Sequence, residues 1–427
     1  MSADSSSDAR VYTVEEAWDE FPASVQAGRT SNPIRKIVDR LKPPKDASRK
    51  LISLSIGDPT KYGNLRTHHS VISALVLSVH SNGFNGYPHS CGYPESRSAV
   101  AQYASHPTSP LTEDDVIITS GCSGALEMCF SGLANEGDNV LLPNPGFSLY
   151  QTICDSRGIQ IRSYRLLPEK GWEADLSHME SLIDGKTRAI LVNNPSNPCG
   201  SVYSREHLQA IVDLAERYHL PIIADEIYAD MVFDEKTRPF VPVASLTKTA
   251  PVLAVGGLAK RFLVPGWRVG WILIHDKNGC FQKVKAGLIA LSTLILGANS
   301  LVQSILPTIL HETPQEFFRD TMELLYSNTV FLYSRLQEIT GLNPIMPDGA
   351  MYLMFGIDVK AFKGIEDDVD FSRQLLEEQS LVVLPGEVFG MRFFARLVVC
   401  APMKVLSEAC DRIAEFCAAH SNPSYEG

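Results

Sequence analysis

The middle of the chain repeats one pattern of hydrophobic and polar positions: a short apolar run, a turn of small or polar residues, and a longer stretch with helical spacing. Short apolar runs rich in β-branched residues are typical of buried strands, and stretches such as 205–218 are typical of helices. The runs predict strands at 116–119, 139–143, 159–166, 189–194, 220–225, 252–255 and 269–274. This alternation predicts an α/β fold with a mainly parallel, doubly wound sheet that carries helices on both faces.

Towards the chain ends the alternation stops. After about residue 315 the pattern predicts a long helix at 314–339, short strands at 351–356, 382–385 and 396–400, and an amphipathic helix at 405–417. Residues 51–56 alternate as a half-buried strand would, and we expect this segment to pack with the C-terminal part. The sequence thus predicts a mobile arm at 1–30, a large domain at 76–313, and a smaller α+β domain formed by 31–75 and 314–427.

Composition and charge narrow the classes of function. Of the 427 residues, 44% are hydrophobic and 20% are charged, as in ordinary soluble globular proteins. The net charge of −11 argues against a nucleic-acid partner. Nine cysteines without a CxxC pair favour reduced thiols over a disulfide framework or a metal site. The N-terminus, MSADSSSDAR, lacks an apolar secretory region and is acidic, so we expect a cytoplasmic location.

The longest apolar run, at 286–298, is too short to span a bilayer and contains Ser292 and Thr293. We expect it to form a buried helix, and we expect no membrane partner.

Candidate chemistry lies at the carboxyl ends of the predicted strands, where doubly wound sheets bind ligands. The loop between the runs at 252–255 and 269–274 carries Lys260 and Arg268. A lysine between buried strands is partly desolvated and therefore a better nucleophile, and an arginine fork suits a phosphate. An amine that can form a Schiff base beside a phosphate anchor is what pyridoxal 5'-phosphate (PLP) requires.

Other residues near the strand ends would complete such a site. The turn at 120–124 precedes a predicted helix, and free backbone N–H groups at a helix start bind anions. Asp225 could keep the PLP ring nitrogen protonated, Tyr228 and Asn197 could bind its phenolic oxygen, and Phe147 could stack on the ring. Taken singly, Asp225 could equally be a turn residue and Phe147 a cap on the core.

Four motifs then indicate a family. The stretches NNPSNPCG, ADEIYADMVF, GGLAKRFLVPGWRVGW and GAMYLM, in this order and spacing, closely resemble the tyrosine aminotransferases, a group of fold-type I, class I PLP-dependent aminotransferases. The resemblance extends from about residue 32 to residue 417. It implies a PLP-binding large domain and the transfer of an amino group from tyrosine to a 2-oxo acid by a ping-pong mechanism, in tyrosine catabolism.

The resemblance also implies roles for single residues. Lys260 matches the lysine that bonds the cofactor and moves the proton during catalysis, and Asp225 matches the partner of the ring nitrogen. Tyr228 and Asn197 match the ligands of the phenolic oxygen, and Asn197 also borders the substrate. Phe147 matches the aromatic residue that stacks on the ring.

Further matches concern the phosphate and the substrate. Arg268, Gly121, Cys122 and Ser123 match phosphate contacts. Tyr87 matches a tyrosine that reaches the cofactor phosphate of the other subunit, which implies a homodimer, although alone it could be a loop aromatic packed on its own turn.

Two matches concern the amino-acid substrate. Arg396 matches the arginine that binds the substrate α-carboxylate, although alone it could be a sheet-edge residue. Gly57 matches a glycine whose backbone approaches the substrate.

The chain departs from many relatives by having Gly257 and Leu258 where a phosphate-binding serine is common, so we expect the phosphate to depend more on Arg268 and the 121–123 turn. No arginine occurs between Arg268 and Arg319, and residues 288–303 are almost wholly apolar. An apolar wall there would suit tyrosine or a similar side chain, with 2-oxoglutarate or pyruvate as acceptor.

Two other functions are compatible with parts of this pattern. A PLP-dependent C–S lyase of the same fold would share the lysine, aspartate and arginine. A PLP-binding regulator would need a basic DNA-binding domain, and about thirty acidic, serine-rich N-terminal residues cannot form one.

Overall fold

The computed structural model describes residues 21–38 and 49–425. Residues 1–20 of the predicted mobile arm lie outside the described residues. The last part of that arm contains a short helix at 25–29, and Arg29 pairs with Glu136 at 2.7 Å on the large sheet's side of the molecule.

The strands and helices follow the predicted alternation. In chain order the strands are β1 Ile52–Ser53, β2 Val116–Thr119, β3 Asn139–Asn144, β4 Gln160–Leu167, β5 Glu173–Ala174, β6 Thr187–Asn193, β7 Ile222–Asp225, β8 Val252–Gly257, β9 Gly270–His275, β10 Leu342–Ile345, β11 Tyr352–Ile357, β12 Leu381–Val382, β13 Leu384–Pro385 and β14 Phe394–Val398. The α-helices are α1 Val25–Arg29, α2 Pro33–Val38, α3 His69–Ser81, α4 Pro94–Ala104, α5 Gly121–Leu133, α6 Ser148–Arg157, α7 Leu176–Ser181, α8 Arg205–Arg217, α9 Gln282–Ser292, α10 Ser300–Gln303, α11 Leu306–Glu312, α12 Gln315–Gln337, α13 Asp368–Gln379 and α14 Met403–Ala419.

The large sheet has the strand order β2-β9-β8-β7-β6-β3-β4-β5 in the described part of the chain. The central pairs from β8 through to β4 are parallel, whereas β9 runs antiparallel to both of its neighbours. Because β9 runs the opposite way, its first residues lie at the edge of the sheet where β7 and β8 end. The loop from β8 to β9, which carries Lys260 and Arg268, therefore stays at that edge.

Burial explains why these strands were visible as continuous apolar runs. Ile190 and Ile222 pack into the core on one face of the sheet, whereas Leu191 and Ile223 pack into the core on the other. A strand that is covered on both faces has few solvated positions, so its sequence loses polar alternation. The α/β class and the mainly parallel sheet are confirmed.

A smaller sheet, ordered β10-β11-β14-β13, is antiparallel and packs against α12, α13 and α14. The N-terminal strand β1 pairs in parallel with β12, so both ends of the chain meet here, as expected. The strand predicted at 51–56 is shorter in the structure, spanning Ile52–Ser53. The predicted limit between residues 75 and 76 falls within α3, and the domain boundaries remain a prediction.

The prediction of one buried helix at 286–298 is wrong. Helix α9 ends at Ser292, and Leu288 is its buried apolar residue. Leu294, Ile295 and Leu296 follow in a turn and are 75%, 65% and 56% exposed. The hydrophobicity of a segment indicates that its side chains tend to be buried. It does not indicate which part of the protein covers them. Among the helices of the described residues, none combines the length and apolar character needed to cross a membrane.

Candidate active site

A cavity of about 300 Å³ lies beyond the carboxyl ends of β6, β7 and β8. Its lining includes most of the residues that the sequence singled out: Gly57, Cys122, Ser123, Phe147, Asn197, Asp225, Tyr228, Lys260, Arg268 and Arg396. The structure therefore brings together segments that are separated by more than three hundred positions in the chain. Gly121 is absent from this lining and precedes Cys122 in the first turn of α5.

Lys260 stands just after β8, and its Nζ donates a hydrogen bond to the carbonyl oxygen of Gly57 at 2.5 Å. The same Nζ lies 5.7 Å from the ring centre of Tyr228. Gly57 has to lack a side chain because a Cβ at this position would collide with the hydroxyl of Tyr352. The close approach of the Gly57 backbone to Lys260 thus depends on glycine.

Asp225 ends β7 and is 2% exposed. In the described part of the chain it accepts hydrogen bonds from the Tyr150 hydroxyl at 2.7 Å, from the Ile227 backbone N–H at 3.2 Å and from the Cys122 thiol at 3.7 Å. Burial raises the pKa of Asp225, while these hydrogen bonds and the charge of Lys260 act in the opposite direction. Sequence reasoning missed Tyr150, because Asp225 lies 75 positions away from it in the chain.

Arg396, on β14, is 2% exposed and lies between two aromatic rings. Its guanidinium carbon is 4.3 Å from the ring centre of Tyr352 and 4.7 Å from that of Phe389. It donates to Asn197 Oδ1 at 2.7 Å and to the carbonyl oxygen of Ser55 at 2.5 Å. Burial lowers the pKa of Arg396. A buried guanidinium without a carboxylate partner is costly, and an anionic ligand would relieve that cost.

The hydroxyl groups of Tyr228 and Tyr352 lie 2.6 Å apart. Tyr352 therefore contacts Arg396 through its ring and Tyr228 through its hydroxyl. Its role was missed even though it lies within one of the four motifs, because its partners are far away in sequence.

The first turn of α5 forms one end of the cavity. Gly121 has φ +72°, and a side chain there would also collide with the Arg268 guanidinium, so glycine meets two requirements. Ser120 provides no side-chain cap, which leaves the first N–H groups of the helix available. Arg268 is held at the same turn by hydrogen bonds to the carbonyl oxygens of Pro265, at 3.0 Å, and Ser120, at 3.3 Å.

These features fit PLP. The helix start and Arg268 suit its phosphate, Phe147 offers a ring face, and Lys260 and Asp225 suit its aldehyde and its ring nitrogen. Among the described residues, the buried Nε of Arg396 has no hydrogen-bond partner, as expected for a group that awaits a ligand.

Two predicted elements lie elsewhere in this chain. Tyr87 is 89% exposed and does not line the cavity. Residues 288–303, which were predicted to form an apolar wall of the site, are also absent from the lining of this cavity among the described residues. Conversely, Arg35 of α2 lines the cavity and was not singled out from the sequence.

The sequence profile of the aminotransferase class I and II family matches residues 49–413. The chain belongs to this family. It is a PLP-dependent aminotransferase, as the motifs predicted.

Similar proteins support the same assignment. The aminotransferase is 50% identical to the tyrosine aminotransferase of Mus musculus over 404 residues, which cover 94% of this chain and 88% of that protein. It is 48% identical to the tyrosine aminotransferase of Dictyostelium discoideum over 403 residues, 93% of this chain and 96% of that protein. The crystal structure of the Leishmania infantum tyrosine aminotransferase superposes with a TM-score of 0.91 at 38% identity, covering 95% of this chain and 100% of that one. The resemblance predicted from the motifs is confirmed.

Proposed function

We propose that this aminotransferase moves the amino group of L-tyrosine, and of similar aromatic or apolar amino acids, to a 2-oxo acid. The observation that carries the proposal is the convergence of Lys260, Asp225 and Arg396 on one cavity beside the start of α5. The names of the similar proteins support tyrosine as the donor, and we propose a role in tyrosine catabolism.

Bound PLP supplies an electron-withdrawing ring that stabilises negative charge on a substrate carbon. The chain's own residues position the reactants. Arg396 binds the substrate α-carboxylate through its guanidinium fork, and Asn197 keeps that fork in place. Lys260 Nζ would hold the cofactor aldehyde and would move a proton to and from the substrate, which fits two half-reactions in ping-pong order. Asp225 would hold the proton on the ring nitrogen.

The remaining polar contacts hold the cofactor. Tyr228 and Asn197 would bind its phenolic oxygen, and Phe147 would offer its ring as a stacking face. The first turn of α5, with Gly121, Cys122, Ser123 and Arg268, would bind its phosphate.

The acceptor is 2-oxoglutarate or pyruvate, and Arg35 favours the former. Arg35 lines the cavity together with Arg268 and Arg396, and a third guanidinium suits the distal carboxylate that 2-oxoglutarate has and pyruvate lacks. Replacing Arg35 with glutamine should raise KM for 2-oxoglutarate while KM for pyruvate and for tyrosine changes little.

We further propose that the enzyme is a homodimer in which Tyr87 reaches the cofactor phosphate of the partner subunit. The supporting observation is that exposed apolar side chains occur on α3, on the loop that carries Tyr87 and in the turn at 294–296. The Ser300 hydroxyl of α10 donates to the carbonyl oxygen of Phe84 at 2.7 Å and so joins α10 to the loop that carries Tyr87. Large exposed apolar patches are typical of protein interfaces.

Sedimentation tests the dimer. The protein should have twice the 47.0 kDa mass of one chain, and Ile295→Lys should shift it towards the monomer. Val330→Lys is the matched control, because Val330 is also an exposed apolar residue but lies on α12. A wild-type monomer would refute the proposal.

Absorption spectra test the reaction. The visible band of the holoenzyme should disappear when L-tyrosine is added alone and should return when 2-oxoglutarate is added. A band that tyrosine leaves unchanged would refute tyrosine as donor, and release of pyruvate and ammonia from a sulfur amino acid would indicate a C–S lyase instead.

We also propose a cytoplasmic location, which the nine free cysteines support.

A further inference from the structure

The environment of Asp225 contains a donor that the proposed function does not use. Tyr150 lies on α6, is 1% exposed, and directs its hydroxyl at Asp225 Oδ2, 2.7 Å away. The two residues are 75 positions apart in sequence. Tyr150 is placed by its neighbour Phe147, whose ring packs edge-on against it with centroids 5.7 Å apart.

The hydrogen bonds on Asp225 are divided between its two oxygens. Oδ1 accepts from the Ile227 backbone N–H and, at 3.7 Å, from the Cys122 thiol, whereas Oδ2 accepts from Tyr150. A thiol is a weak donor and a phenol a strong one. Tyr150 is therefore the strongest side-chain donor to this carboxylate among the described residues.

Tyr150 stays a donor under all ordinary conditions. Burial, and next the negative charge of Asp225, raise the pKa of Tyr150 well above its usual value, so the hydroxyl keeps its proton. Burial likewise raises the pKa of Asp225, and a hydrogen bond to the charged form of a carboxyl favours that form.

We propose that Tyr150 is a positioning residue, whose hydroxyl keeps the Asp225 carboxylate ionised and fixed in orientation and thereby sets the proton affinity of the cofactor ring nitrogen. This inference rests on the proposed role of Asp225. Tyr150 itself takes no part in the bond changes of the reaction.

The consequence is visible in the cofactor's spectrum. Without the Tyr150 hydroxyl, the Asp225 carboxylate becomes more basic and takes the proton from the ring nitrogen. The ring then carries less positive charge. A nearby positive charge lowers the proton affinity of the nitrogen that links the cofactor to Lys260, so loss of that charge raises it. The pH midpoint of the visible absorption band should therefore rise.

The test compares Tyr150→Phe with Tyr164→Phe in the PLP-loaded enzyme. Tyr164 is a matched control because it is also fully buried and donates its hydroxyl to a carbonyl oxygen, that of Leu191, at 2.8 Å. Both variants lose one buried hydroxyl and should lose similar thermal stability. Tyr150→Phe should also weaken PLP binding, measured by equilibrium dialysis, by roughly 10-fold, and raise the midpoint by about one pH unit. Tyr164→Phe should change neither.

A further variant distinguishes failure of the proposed role of Asp225 from failure of the inference about Tyr150. Asp225→Asn is measured alongside, and it should shift the midpoint further than Tyr150→Phe does. If Asp225→Asn shifts the midpoint and Tyr150→Phe leaves both the midpoint and PLP affinity at wild-type values, the inference about Tyr150 is wrong and the proposed function stands. If Asp225→Asn itself has no effect, the role of Asp225 is wrong, and the inference falls with it.

Discussion

The floor of the cavity, formed by Asp225, Lys260 and the first turn of α5, is supported by adjacent strands of one sheet, whereas the wall, formed by Gly57, Tyr352 and Arg396, comes from both ends of the chain. The floor carries groups that suit a cofactor, and the wall carries the group that suits a substrate carboxylate. A rigid, doubly covered sheet holds the floor, while β1, β11 and β14 of the chain-end part hold the wall or lie next to it.

This difference separates the residues that suit the cofactor from those that suit the exchanging substrates. Floor residues are held by interactions that a ligand leaves in place, such as the hydrogen bond from Tyr150 to Asp225. On the wall, Arg396 donates to Asn197 and to the Ser55 carbonyl, and an incoming carboxylate competes for the same guanidinium. Changes to the floor should therefore alter cofactor affinity and kcat, and changes to the wall should alter KM.

The largest effect is expected for Lys260→Ala on the floor. Loss of the nucleophile and proton carrier should lower kcat by at least about 10⁴-fold, while the thermal unfolding temperature changes little. Steady-state assays with tyrosine and 2-oxoglutarate measure this. Lys283→Ala, at an exposed position of α9, should behave as wild type. Near-normal turnover in Lys260→Ala would contradict the assignment of the floor.

Next is Asp225→Asn, which keeps the shape of the side chain and removes its charge. We expect kcat to fall by about 100-fold or more and PLP affinity to fall with it, because a charged hydrogen bond of about 3 kcal/mol is lost. KM for tyrosine should hardly change. If the variant raised only KM for tyrosine, Asp225 would act in substrate binding, as the wall residues do, and its assignment to the floor would be wrong.

Arg396→Lys tests the wall. Lysine keeps the positive charge but loses the two-pronged fork and the flat contact with Tyr352 and Phe389. KM for tyrosine should rise by roughly 30-fold, equivalent to about 2 kcal/mol, whereas PLP affinity measured by dialysis stays constant. A loss of PLP affinity as large as the loss in KM would abolish the distinction between floor and wall.

Tyr352 connects the two sides, and a pair of variants can separate its contacts. Tyr352→Phe removes the hydroxyl that lies 2.6 Å from Tyr228 and keeps the ring against Arg396, so kcat should fall about fivefold with little change in KM. Tyr352→Leu also removes the ring, and KM should then rise. Equal effects of both variants on KM would show that the ring contributes nothing to holding Arg396.

The smallest effect on activity is expected for Glu226→Gln. Glu226 follows Asp225 directly but lines a different cavity, of about 220 Å³, and burial raises the pKa of Glu226 to about 8. Its carboxyl is thus neutral at pH 7, and an amide resembles it, so kcat should stay within about twofold of wild type. Because the pKa is raised in the folded state, this group costs stability as pH rises from about 4.5 to about 8. The variant should therefore melt higher than wild type at pH 8.5 and not at pH 4.5.

Most of the floor could be predicted from the sequence. The strands β2, β3, β6, β7 and β8 were placed to within about two residues at each end, because a strand covered on both faces is an unbroken apolar run. Lys260, Asp225 and the 121–123 turn directly follow such runs, so their place at one edge of the sheet followed from topology. Helix α5 begins four residues earlier than its apolar run suggested, since small residues in its first turn carry little helical signal.

Contacts between distant segments could not be predicted. Tyr150 meets Asp225 across 75 positions, and Tyr352 meets Tyr228 across 124, and no local periodicity encodes such a pairing. The segment 286–298 also shows that local pattern does not predict tertiary contacts. Its apolar character was recognised from the sequence, but in the structure Leu288 is buried and Leu294 is exposed.

The sequence by itself determined the order of strands and helices, the residues with reactive or charged side chains, and the family to which the chain belongs, because these depend on local pattern and on motif spacing. The tertiary structure alone decided which hydroxyl donates to Asp225, which rings enclose Arg396, and which carbonyl oxygen accepts a hydrogen bond from Lys260. These choices depend on packing and on the desolvation of charge, and both arise only when remote segments exclude water from a shared interior.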